Sequence, residues 1–193
     1  HPNLASRPVE NWTVSVQAGG TPGRSNFAPT ILTGMQTNLV ELVSSWRFND
    51  TGNDLGTAWR EPAYNDSAWG SGLALFSFED GPLPGPKNTS LTPGRSTYYF
   101  RTTFQVPADP ATKLFKLRPL VDDGAVIYLN GVEVQRVNMP TGAVTYASTA
   151  AMTVPNATFS PPIALPSTNL VAGANLLAGG VHPTLGGPNP GLR

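Results

Sequence analysis

The stretch Ala125-Val-Ile-Tyr-Leu-Asn-Gly-Val-Glu-Val-Gln-Arg136 decides how this chain is read. Two alternating apolar runs flank Asn130-Gly131. Asn and Gly both tolerate the positive φ of a type I′ turn, whose twist matches that of paired strands. The segment therefore predicts a β-hairpin with a two-residue turn, and with it an antiparallel sheet.

Upstream, residues 97–106 alternate as well. Tyr98, Phe100, Phe104 and Val106 share one face with Thr102, while Tyr99, Arg101, Thr103 and Gln105 share the other. That period predicts a half-buried strand with an aromatic inner face. In residues 113–121, Phe115, Leu117 and Val121 point inward and Lys116 and Arg118 outward, and Pro119 marks an edge or bulge. Shorter strands are expected at 12–17, 39–48, 73–78, 144–148 and 175–181. No window holds a helical apolar period for more than two turns. Gly and Pro each occur 20 times, and they concentrate in the connections, above all in residues 77–93. Short strands separated by punctuated loops predict an all-β fold, an antiparallel jelly-roll sandwich.

At 193 residues the chain has room for one domain with arms. The expected division is an arm over 1–38, a sandwich over 39–182 and a Pro/Gly-rich tail over 183–193. The arm holds one strand, 12–17, which cannot fold alone and needs a pairing partner. Lys plus Arg equals Asp plus Glu at 12, so the chain lacks the positive footprint of a nucleic-acid binder. No apolar run approaches the roughly 18–20 residues of a membrane helix, so membrane insertion is not expected. Cysteine is absent, which removes disulfides, thiolate metal sites and a Cys nucleophile. The first residue is His1 rather than Met, which fits a processed start and an expression artefact equally well; a secreted, extracellular or cell-surface location is the expectation.

Three ordered stretches carry a resemblance. They are Trp46-Arg-Phe-Asn-Asp-Thr-Gly-Asn-Asp-Leu-Gly-Thr-Ala-Trp59 with Tyr64-Asn-Asp-Ser-Ala-Trp-Gly-Ser-Gly72, then Tyr98-Tyr-Phe-Arg-Thr-Thr-Phe104, then Asp122-Asp-Gly-Ala-Val-Ile-Tyr-Leu-Asn-Gly131. Together, over about residues 42–182, the chain resembles the galactose-binding-domain-like sandwich modules of large secreted bacterial proteins. Such modules stand beside lamin-tail-like domains and extracellular metallophosphatases. Gly20-Thr-Pro-Gly-Arg-Ser-Asn26 is similar to the closing turn of a lamin-tail-like domain. Family members continue past the strand matching Asn175-Leu-Leu-Ala178 into one more strand. Here Gly-Gly-Val-His182 and a Pro/Gly tail follow, which leads to the expectation of an unfilled sheet edge.

Several clusters are candidates for binding. Asp122 and Asp123 precede the hairpin, and adjacent carboxylates at a loop–strand junction suit Ca²⁺, a hard cation taking about six to eight oxygens. Asp-Asp-Gly is also a turn former. Asp50, Asn53 and Asp54 form a second oxygen-rich loop, open to the same two readings. Among the aromatics, Trp46 and Trp69 are expected in the core. Trp59 and Tyr64, in polar surroundings, are expected at a ligand face, where aromatic rings stack on sugars. No Gly-x-Ser-x-Gly, His-Glu-x-x-His or phosphate-loop motif occurs, so a catalyst is not expected.

These features lead to three functional expectations. The first is a secreted, non-catalytic module that binds a glycan or cell-surface polymer through Asp122, Asp123, Trp59 and Tyr64, with calcium. The second is a structural subunit of an extracellular fibre or surface assembly, built by arm exchange between copies of itself. The third, implied by the resemblance, is an accessory domain of an extracellular phosphatase.

Overall fold

A computed structural model describes residues 37–78 and 81–184. The expected strand at 12–17 and most of both expected arms lie outside the described residues.

Ten strands follow in chain order among the described residues: β1 Ser45–Asn49, β2 Gly70–Leu73, β3 Phe76–Ser77, β4 Thr89–Ser90, β5 Tyr98–Val106, β6 Phe115–Leu117, β7 Gly124–Leu129, β8 Val132–Val137, β9 Ile163–Leu165 and β10 Gly173–His182. Six form one sheet in the order β2-β1-β5-β10-β7-β8, every neighbouring pair antiparallel. A second layer is the antiparallel pair β6–β9, and β3 and β4 form a short parallel pair. The fold is an all-β sandwich with one broad and one narrow layer.

The hairpin is formed as its sequence predicts. Asn130 and Gly131 take φ of 50° and 87°, and Leu129 pairs with Val132. The Asn130 side chain adds three tertiary bonds. Its amide nitrogen donates to the Asn169 carbonyl at 2.9 Å and to Asn175 Oδ1 at 2.8 Å, and its oxygen accepts from Leu176 N–H at 2.8 Å. Asn130 thus ties the turn to β10.

Both faces of the broad sheet are covered. On one face Phe104, Val106, Ala125, Ile127, Leu129 and Leu177 pack with Phe115, Leu117 and Leu165 of the narrow layer. On the other, Tyr99, Val126, Tyr128, Leu176 and Ala178 pack with Trp59, Trp69, Leu55, Met139 and Tyr146 from the loops. All six residues of β7 are consequently buried. The half-buried reading of β5 needs correction for the same reason: Tyr99 and Arg101, expected to face solvent, lie under the 55–69 loop.

Two further expectations change. Strand 39–48 starts later, at Ser45. Residues 144–148 form a turn, closed by Ser148 N–H donating to the Thr145 carbonyl at 3.0 Å. The last described strand, β10, occupies the centre of the sheet between β5 and β7, so the sheet edges are β2 and β8. Gly180 of β10 lies close beneath two side chains. A Cβ there would stand 3.3 Å from His182 Nε2 and 3.5 Å from the Trp59 ring.

Candidate functional site

The face of the broad sheet under the loops carries a polar cleft. Arg47 of β1 pairs with Ser71 of β2 on one side and with Arg101 of β5 on the other. Paired residues in adjacent strands point to the same face, so Ser71, Arg47 and Arg101 form a row across three strands. Period 2 places Ser45 and Thr103 on that face too, and Thr103 pairs with Leu176 of β10. With Asp66 from the loop, and with Trp46 and Thr102, these residues line a cleft of about 240 Å³.

Arg101 organises its inner wall. The residue is only 3% exposed. Its Nε donates to Asp66 Oδ2 at 2.6 Å, and Nη1 donates to the carbonyls of Trp59 and, at 3.0 Å, Glu61. Nη2 donates to the Tyr64 carbonyl at 3.4 Å, and the guanidinium lies 5.4 Å from the centre of the Tyr64 ring. A single cation therefore satisfies the turn at 59–66 and neutralises Asp66. Arg47 is different. It is exposed, and its Nη1 donates to the Trp69 carbonyl at 3.4 Å. Among the described residues it takes no ion pair.

A second, smaller cavity of about 30 Å³ lies further along the same face, lined by Trp59, Arg60, Thr97, Tyr128, Tyr146 and His182 among others. That is space for about one water. His182 is 3% exposed, with Nδ1 3.0 Å from the Ser148 carbonyl and 3.1 Å from Thr97 Oγ1. A carbonyl only accepts, so Nδ1 carries the proton and Nε2 the lone pair. Burial pushes the imidazole below its ordinary pKa, the Ser148 contact opposing it. Burial also pushes the nearby Tyr99 hydroxyl up to about 12.

The residues singled out from sequence are dispersed. Trp59 is a correction: it is 5% exposed, its Nε1 donates to the Gly56 carbonyl at 3.1 Å, and its ring packs on Tyr99 and Tyr128. Its loop looks polar because the aromatic residues receiving the ring come from strands distant in sequence. Tyr64 is half-buried against Trp69. Trp69 is in the core as expected, whereas Trp46 is half-buried and lines the polar cleft.

Asp123 is buried and its carboxylate is engaged within the chain. One oxygen accepts from Val154 N–H at 2.6 Å, and the other from Thr184 N–H at 2.9 Å and Thr184 Oγ1 at 3.1 Å. Asp122 next to it is half-buried. Asp50 accepts from Thr92 N–H at 2.7 Å, Asp54 closes an Asx turn onto Gly56 N–H at 2.8 Å, and Asn53 is exposed. Among the described residues no three His, Cys, Asp or Glu side chains stand close enough together to hold a metal ion.

Sequence reading passed over Arg47, Ser71 and Thr103. Thr103 belongs to the face of residues 97–106 expected to point outward, and the alternation assigns no face to Arg47 or Ser71. The row appears only once the register aligns β2, β1 and β5.

No protein-family model matches the chain, and no curated protein does. Solved structures similar to it include glycoside hydrolases. A beta-glucuronidase from glycoside hydrolase family 2 aligns over 77% of this chain with 17% identity and a TM-score of 0.47. Bacteroides uniformis beta-glucuronidase 2 aligns over 73% with 22% identity and a TM-score of 0.48. A beta-glucuronidase from Ruminococcus gnavus aligns over 76% with 16% identity and a TM-score of 0.45. The chain matches only 14%, 14% and 22% of those three chains respectively.

Proposed function

We propose that this domain is a non-catalytic carbohydrate-binding module, and that the cleft over β1, β2 and β5 takes one sugar residue. The observation that carries this reading is the polar row on a rigid sheet. An exposed guanidinium, a neutralised carboxylate and the hydroxyl residues Ser45, Ser71 and Thr103 converge on about 240 Å³. Sugar hydroxyls both donate and accept, and such a set offers partners of both kinds. The volume lies just below the roughly 300 Å³ at which drug-sized pockets begin, which suits a single ring. Fixing these groups on paired strands limits the ordering cost of binding.

The test is titration of the labelled protein with a panel of monosaccharides and short glycans, followed by amide chemical shifts. Saturable shifts confined to Ser45–Arg47, Ser71 and Thr103, with a Kd of about 1 mM or tighter, are expected. Thr103→Val is expected to weaken binding about fivefold, the worth of one hydrogen bond. No cleft shifts with any sugar up to saturation would overturn the proposal.

A second reading, self-association through the sheet edges, has one observation in its favour. Leu73 of β2 and Val132 of β8, one on each edge strand, are half-exposed apolar residues. Light scattering over a dilution series tests it. A single monomeric mass throughout rejects it.

A further inference from the structure

We infer that the cleft selects a carboxylate-bearing sugar, a uronic or other acidic saccharide, over its neutral counterpart. This deepens the carbohydrate-binding reading and rests on it. The argument is a local charge balance. Three charged side chains line the cleft: Arg47, Arg101 and Asp66. Arg101 and Asp66 are joined at 2.6 Å and cancel, the arginine being spent on that carboxylate and on the carbonyls of Trp59, Glu61 and Tyr64. Arg47 remains. Its Nη1 donates to the Trp69 carbonyl, and no carboxylate of the described residues pairs with it. Among the described residues the cleft therefore holds one uncompensated positive charge, although the chain as a whole is neutral.

The kind of cation matters. A guanidinium presents parallel N–H groups that match a planar carboxylate in a two-point contact, which an ammonium lacks. Arg47 also stands in the middle strand of the row, between Ser71 and Arg101. A sugar whose carboxylate meets Arg47 places its ring hydroxyls within the same polar row. Asp66 borders that space with its charge already met by Arg101.

The experiment compares D-glucuronate, D-glucose and acetate by calorimetric and chemical-shift titration, on the unaltered protein and on Arg47→Lys and Arg47→Gln. Arg47 is exposed, and melting curves of both variants verify that they fold. Glucuronate is expected to bind at least tenfold more tightly than glucose and than acetate, with affinity falling as salt rises. Arg47→Lys is expected to lose about fivefold for glucuronate, and Arg47→Gln to bring glucuronate down to the affinity of glucose. Equal binding of glucose and glucuronate by the unaltered protein overturns the inference while the carbohydrate reading stands. Acetate binding as tightly as glucuronate also overturns it, showing an anion site indifferent to the ring. Absence of binding by both sugars overturns the inference and counts against the underlying reading as well.

Discussion

Arg101 and Asp66 meet at 2.6 Å across 35 residues of sequence, the arginine buried on β5 and the aspartate at the rim of the 55–69 loop. The contact does two things. It holds the loop against the sheet, so that Trp59 and Trp69 reach Tyr99. It also sets the wall and the charge of the polar cleft.

Removing one partner of such a pair leaves the other desolvated and unmatched. Arg101→Met is expected to cost about 3–5 kcal/mol of folding stability, and Asp66→Asn somewhat less because Asp66 is the more exposed partner. Urea denaturation with both single variants and the double variant measures the coupling. Independent, additive effects would show that the pair does not hold the loop.

The Asn130 side chain serves turn and sheet together, so its two roles separate by substitution. Asn130→Gly keeps the positive φ and loses the three bonds to Asn169, Asn175 and Leu176. A loss of about 2–3 kcal/mol is expected. Gly131→Ala instead strains a residue at φ 87° and drives a Cβ against a Glu61 carboxylate oxygen. Glu61 is exposed and is free to move aside, so about 1–2 kcal/mol of backbone strain remains. A Gly131→Ala protein as stable as the unaltered one contradicts the turn assignment.

His182 makes stability depend on pH in a definite direction. Its folded pKa lies below the unfolded value of 6.5 because burial disfavours the imidazolium. Below about pH 6.5 the unfolded chain binds the proton and the folded chain resists it. The contribution is therefore complete above pH 6.5 and is lost as pH falls toward the folded pKa. Melting temperature between pH 7.5 and 5 is expected to fall, and His182→Gln is expected to flatten that slope. An unchanged slope in the variant would remove His182 as the cause.

Asp123 fastens two distant segments together by accepting from Val154 N–H and from the N–H and hydroxyl of Thr184. Asp123→Ala is expected to cost about 2–4 kcal/mol, since backbone donors lose a charged acceptor. Calcium chelation is expected to leave the melting temperature within about 2 °C. A larger drop, restored by added calcium, would return Asp122 and Asp123 to the role of metal ligands.

Much of the fold was legible. The Asn130-Gly131 turn depends on two φ angles that these residue types supply by themselves, and the inward Phe115 and Leu117 follow from the period of β6 alone. The candidate site was hardly legible. Asp122, Asp123, Trp59 and Tyr64 stood out by residue type, but their neighbours come from segments far away in the chain. Asp123 finds Val154 and Thr184, 31 and 61 residues on, and becomes an internal fastening. Trp59 finds Tyr99 and Tyr128 and becomes core.

By itself, then, the sequence determined the all-β class, the hairpin and most of the strands, because turn chemistry and side-chain alternation act within a few residues. Only the tertiary structure decided that β10 runs through the centre of the sheet. The same holds for the second buried face of β5 and β7, and for the row formed by Ser71, Arg47 and Arg101. Those outcomes depend on strand order, on register and on which loops fold back over which face. Each is a contact between distant segments, and alternation along one strand is silent about what lies across from it.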